Sequence, residues 1–178
     1  KVGHGGTLDP MATGVLPIAL GEATKTMAYA LDANKTYELE IQWGVETDSL
    51  DADGDVIGTS TTIPTRDDIL AVLPEFQGKI SQIPPKVSAI KIDGQRAYDL
   101  AREGKDFEIQ PRETQVLALE LLEHSGSETV MRVAAVKGFY VRALARDMAK
   151  RLGTCCHLKA LRRLRSGPFS EQDCTTLD

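Results

Sequence analysis

From Lys35 to Val45 the chain alternates strictly, with Tyr37, Leu39, Ile41 and Trp43 on one face and Glu38, Glu40 and Gln42 on the other. Period-two alternation predicts a half-buried β-strand, one side against a core and the other in water. Two further alternating runs, Glu113–Glu123 and Thr129–Lys137, are joined through Ser125-Gly126-Ser127 and predict a hairpin. Helical spacing occurs at Ala23, Met27, Ala28 and Leu31, a helix opened by Gly21 with Asn34 near its end. It recurs more strongly at Val141, Leu144, Ala145, Met148 and Leu152, with Gly153 just past the end. Shorter signals fill the gaps. Val15–Leu20, broken by Pro17, reads as an edge strand, and Thr65 with Asp68 reads as a capping box opening a helix through Ile69, Leu70 and Leu73 that Pro74 interrupts. Val87–Ile92 reads as a strand closed by a turn at Asp93-Gly94, and a helix around Ala97–Glu103 ends at Gly104. Strands interspersed with helices predict an α+β fold with a mixed, largely antiparallel sheet flanked by helices.

Composition narrows the class. With 178 residues, 42% of them hydrophobic, the chain suits one domain with a real core, and no apolar run is long enough to span a membrane. Cys155-Cys156 and the separate Cys174 make neither a CxxC metal pair nor an even-numbered disulfide framework, which predicts a reduced, cytoplasmic setting. Asp51-Ala52-Asp53-Gly54-Asp55 invites a calcium reading, but an EF-hand loop needs glycine at its sixth position and glutamate at its twelfth. Here those positions hold Val56 and Thr62, so the stretch reads as an acidic turn and no metal is expected.

Charge changes the picture through its distribution. The net charge is −5, yet Arg132–Arg165 holds ten basic residues and a single acid, Asp147, whereas Glu38–Glu75 holds ten acids and a single base, Arg66. The reading is a polarised molecule whose basic face meets phosphates. Arg162, Arg163 and Arg165, interleaved with Leu161 and Leu164, suit phosphate contacts beside a small apolar surface, and Lys86 suits the same role.

The candidate chemistry lies at the start. Gly3-His4-Gly5-Gly6-Thr7-Leu8-Asp9-Pro10-Met11-Ala12-Thr13-Gly14 sets one carboxylate among glycines and a proline. The glycines upstream permit positive φ and close backbone approach, and Pro10 pushes Asp9 out of the helical region, so the carboxylate is presented on a loop. By spacing alone Asp9 reads equally well as a turn residue capping local amides. Arg142 stands in the first turn of its predicted helix, where the dipole disfavours a cation, so an anion is expected nearby.

Residues 3–25 resemble the signature of the TruB family of tRNA pseudouridine synthases. Further blocks resemble the same family in order: Lys35-Thr36-Tyr37, Pro84–Lys91, Lys137–Arg142 and Leu161–Phe169. The resemblance implies the pseudouridine synthase catalytic fold, isomerisation of uridine 55 in the tRNA T arm, no cofactor and a monomer. It implies that Asp9 is the catalytic aspartate and that Arg142 pairs with it. Tyr37 would stack on the target base, Tyr140 would lie beside Asp9, and His4 would help take the place of a base flipped from the RNA. Gly5 departs from the threonine that many members carry. Relative to the family, residues 1–178 are expected to be the catalytic core, without an N-terminal strand segment and without a C-terminal RNA-binding domain. The sequence leaves open whether Asp9 acts as a nucleophile or removes the ribose 2′ hydrogen to give a glycal. Two other classes are an RNA-binding or tRNA-chaperone module without activity, and a retaining glycosidase. The last requires a second carboxylate about 5 Å from the first, which the sequence does not signal.

Overall fold

The computed structural model describes residues 1–88, 90–92, 95–97, 100 and 107–176. In chain order its regular elements are β1 (Val2–His4), β2 (Thr13–Gly14), β3 (Ile18–Leu20), α1 (Met27–Asp32), β4 (Lys35–Trp43), β5 (Val45–Thr47), β6 (Val56–Thr59), α2 (Arg66–Val72), β7 (Gly78–Gln82), β8 (Lys91–Ile92), β9 (Gln95–Arg96), β10 (Arg112–Ser125), β11 (Glu128–Ala135), α3 (Val141–Arg151), β12 (Cys156–Ser166) and β13 (Phe169–Ser170). The main sheet runs β13-β12-β4-β11-β10-β7, with β2 added alongside β12. All its pairings are antiparallel except β2 with β12.

Strand β4 is the middle of this sheet because its alternation gives it two different faces. Tyr37, Leu39, Ile41 and Trp43 are buried and pack with Leu144, Ala145 and Met148 of α3 and with Ile69 and Val72 of α2 in one apolar cluster. Burying side chains of this size contributes roughly 1.5–3 kcal/mol each. The Trp43 indole nitrogen donates to Thr129 Oγ1 at 2.7 Å, so the largest core side chain leaves no polar atom unpaired.

The opposite face of β4 brings part of the acidic block against part of the basic block. Acidic β4 lies between β11 and β12, which carry basic residues of the other block. Glu38 pairs with Arg132 at 3.1 Å, and Lys159 lies between Glu40 at 2.9 Å and Glu128 at 2.6 Å. Farther off, Arg151 meets Glu75. Glu38 and Glu40 are thus matched by basic cross-strand neighbours.

The hairpin β10–β11, the capping box of Thr65 and Asp68, and helix α3 lie where the patterns put them. Other segments differ. Residues Gly21–Thr26 form a 3₁₀ helix ahead of the short α1, and Ala30 is the buried residue of α1. The stripe of Ala23, Met27, Ala28 and Leu31 therefore does not face a core; the turn changes pitch at Met27 and rotates it away. The Val15–Leu20 run is a strand only at Ile18–Leu20, which pairs with β1 in a separate small sheet. Lys91–Ile92 pairs with Gln95–Arg96, whereas the Asp93-Gly94 turn and most of the helix around Ala97–Glu103 lie outside the described residues. No helix among the described residues is long and apolar enough to cross a membrane.

Candidate active site

The loop that carries Asp9 is built by local rules and then held by a distant residue. Ala12 N donates to Asp9 O at 2.9 Å, closing a turn with Pro10 at its second position, where a fixed φ is favoured. The chain then enters β2, whose Gly14 has φ +96 and passes so close to Arg163 that a Cβ there would meet the Arg163 backbone. Only glycine combines that φ with that approach.

Arg163 is 1% exposed. Its Nε donates to Val15 O at 2.7 Å, and its other nitrogens donate to Gly6 O at 3.0 Å and Thr7 O at 3.3 Å. The guanidinium thus ties both arms of the loop together beneath Asp9. With its side chain 1% exposed and bonded to three loop carbonyls, Arg163 is an internal tie rather than the surface phosphate contact expected of it. Leu161, on the same face of β12, is likewise core rather than apolar surface.

Asp9 points away from its own turn. Arg142 NH2 donates to Asp9 Oδ1 at 2.8 Å and to Val87 O at 2.9 Å, and Arg142 NH1 donates to Ser49 O at 2.8 Å. A second carboxylate, Asp51, stands 3.3 Å from Arg142 NH1. Arg142 is therefore a buried cation at the start of α3, clasped by two carboxylates and two carbonyls. The anion that the helix dipole demanded is present twice. Burial raises the pKa of Asp9, Arg142 pulls it back down, and Asp51 adds to the rise; the net shift is upward.

Asp51 is the site residue that sequence reasoning missed, having been read only as part of an acidic turn. Its Oδ1 accepts from Ser49 Oγ at 2.5 Å and from Asp53 N at 3.1 Å, which makes it the anchor of the acidic turn. Between Ser49 and Asp51, Leu50 has φ 64, the sole positive φ outside glycine among the described residues. That conformation costs on the order of 1–2 kcal/mol and lets two successive elements of the turn reach the same guanidinium. A strained leucine gives no sign of itself in a sequence.

Asp9, Tyr37, Tyr140, Arg142 and Arg163 line one open cavity of about 970 Å³, together with Lys35, Asp51, Ser88 and Leu161. Tyr37 is buried beside Arg163, and burial raises the pKa of its phenol; Tyr140 is half-buried and its phenol is raised for the same reason. Lys35 donates to the carbonyls of Ala30, Leu31 and Ala33, which close α1 against the cavity rim. His4, Lys86, Arg162 and Arg165 lie outside the cavity wall and are exposed. His4 ends β1 opposite Ile18, Lys86 stands over the Phe107 ring, Arg162 pairs with Glu171, and Arg165 donates to Gly167 O. Among the described residues no three His, Cys, Asp or Glu side chains are grouped to hold a metal.

A model of the TruB family pseudouridylate synthase N-terminal domain matches residues 1–141, and one of the tRNA pseudouridylate synthase B C-terminal domain matches residues 142–178. Strand β12, in the second match, pairs with β4 in the first, so the two share one sheet. The tRNA pseudouridine synthase B of Caulobacter vibrioides is 51% identical over 179 residues, covering all of this chain and 58% of that protein. That of Bradyrhizobium diazoefficiens is 52% identical over all of this chain and 52% of its own length. The chain thus spans a little over half the length of these curated relatives. A chain of a crystallised Cbf5–Nop10–Gar1 complex superimposes with a TM-score of 0.72 at 35% identity, over 96% of this chain and 42% of that one. A chain of an H/ACA RNP bound to a substrate RNA containing 2′-deoxyuridine does so with 0.68 at 31%, over 96% and 40%.

Proposed function

The chain belongs to the TruB family of pseudouridylate synthases, and on that premise we propose that it isomerises uridine to pseudouridine at position 55 in the T arm of tRNA, with Asp9 as the reacting carboxylate. The observation that carries this reading is the 2.8 Å contact of Arg142 with Asp9 at the wall of a cavity large enough for a nucleotide.

The reaction breaks the bond from C1′ to N1 of the uracil, turns the base over, and forms a bond from C1′ to C5. C5 loses a proton, N1 gains one, and no electron enters or leaves, so the balance requires no cofactor. Both open routes need an ionised Asp9, whether it bonds to the nucleoside or takes the 2′ hydrogen. Arg142 keeps the carboxylate charged and fixes its direction, while burial makes it more basic than a carboxylate in water. Tyr37 offers a neutral ring on which the uracil stacks, and Tyr140 borders the same space.

A uridine in a folded arm must leave its stack to reach Asp9, at a cost of a few kcal/mol. His4, exposed at the end of β1, would fill the vacated place, and Lys86, Arg162 and Arg165 would hold phosphates outside the cavity. The test is incubation with an unmodified T-arm stem-loop and with the same RNA carrying cytidine at position 55. Pseudouridine at position 55 of the first RNA alone is the expected result. Modification at other uridines contradicts the site assignment, and binding without product favours an RNA-binding module.

A further inference from the structure

Gln82, the last residue of β7, is 2% exposed and spends its whole side-chain amide on the backbone of one other residue. Its Nε2 donates to Tyr140 O at 3.1 Å, and its Oε1 accepts from Tyr140 N at 3.0 Å. Tyr140 is the N-cap of α3, a helix that has no side-chain cap of its own. An N-cap N–H has no intrahelical partner, so Gln82 satisfies a group that the helix leaves open. Two residues further on stands Arg142.

We infer that Gln82 is the positioning residue that sets Arg142 against Asp9, an inference that rests on the function proposed above. From Gln82 the chain runs through Ile83 and two prolines to Val87, and it touches α3 three times on the way. Gln82 holds Tyr140, Ile83 O accepts from Arg146 NH2 at 2.8 Å, and Val87 O accepts from Arg142 NH2 at 2.9 Å. Pro84 and Pro85 stiffen the stretch between the first and last of these contacts. Gln82 thereby fixes both ends of one interaction: the backbone from which Arg142 projects, and the segment that brings one of its acceptors. An apolar residue of the same volume would fill the space equally well but hold neither. A misplacement of about 1 Å in such a constellation costs up to roughly 100-fold in rate.

The experiment measures single-turnover pseudouridine formation and RNA affinity for Gln82→Leu and Gln82→Glu, each alone and combined with Arg142→Lys. For Gln82→Leu the expected result is a rate lowered roughly 10- to 100-fold with RNA affinity within about twofold of the parent. On top of Arg142→Lys the same change adds no further loss. A rate equal to the parent, or the same fractional loss in both backgrounds, overturns the inference. For Gln82→Glu the introduced carboxyl donates to Tyr140 O only while protonated, so its rate relative to the parent falls as pH rises; a profile parallel to the parent overturns the inference even where Gln82→Leu does not fold. If the parent itself makes no pseudouridine, the functional reading has failed and the positioning is decided by ¹⁵N NMR of the Arg142 guanidinium. A signal that shifts or broadens in Gln82→Glu as pH rises supports the inference, and an unchanged signal overturns it.

Discussion

Arg142 reaches Asp9 across 133 positions of sequence and meets its Oδ1 at 2.8 Å, the contact that joins the N-terminal loop to the start of α3. Because Arg142 is buried and also faces Asp51, its loss would leave two carboxylates without their cation. Arg142→Ala is expected to lower turnover by about 10²- to 10³-fold and to cost roughly 3–5 kcal/mol of stability. Single-turnover assays and denaturant unfolding check the two effects separately.

Asp51 contributes to the acid limit that the proposed reaction takes from Asp9. The proposed reaction requires an ionised Asp9, whose pKa is raised chiefly by burial and further by the charge of Asp51, against the pull of Arg142. Turnover should therefore fall as pH drops through a value above that of an ordinary aspartate. Asp51→Asn removes the repulsion, so Asp9 stays ionised to lower pH and the acid limb of the rate profile moves down. An acid limb that moves up, or that stays in place, contradicts the assignment.

Arg163 and Arg165 are two residues apart and have opposite predictions. Arg163→Met leaves the carbonyls of Gly6, Thr7 and Val15 without their donor and is expected to cost about 3 kcal/mol. It should not change how steeply RNA affinity falls with salt. Arg165→Met should leave stability nearly untouched and reduce that slope by about one phosphate's worth. Salt titrations of binding beside thermal unfolding separate them.

These arginines show where the sequence was legible and where it was not. Period-two and period-3.6 patterns belong to single elements, so β4, the β10–β11 hairpin, the capping box of α2 and the whole of α3 could be read directly. Strand β12 could not. It carries bulges between Leu158 and Ala160 and between Arg163 and Arg165, each of which resets the alternation and hides which arginine points inward. Which strand neighbours which is also invisible in one dimension, so the pairing of Glu38 and Glu40 with Arg132 and Lys159 could not be read in advance. The resemblance marked Asp9, Tyr37, Tyr140 and Arg142, which line one cavity. Asp51 and Gln82 escaped because their partners lie 91 and 58 positions away and no local pattern announces either.

Gly5 occupies the place of a threonine in many family members, and the structure gives the reason that glycine suits this chain. A Cβ at Gly5 would stand 2.9 Å from the Ala30 Cβ and 3.1 Å from the Pro17 Cβ. Gly5→Thr is expected to cost about 1–3 kcal/mol by overpacking, and Ala30→Gly in the same protein should restore part of it. Thermal unfolding of the two single variants and the double variant reads the coupling.

In the proposed function Asp9 performs the chemistry rather than merely shaping its loop. Burial already disfavours the Asp9 anion, so Asp9→Asn should fold with a thermal midpoint close to the parent. The decisive measurement is pseudouridine formation and RNA affinity, side by side, for the parent and Asp9→Asn on a T-arm stem-loop. The expected result is product from the parent, none from Asp9→Asn, and affinities that agree within about threefold. Residual product from Asp9→Asn, or equal loss of binding and turnover, would contradict it.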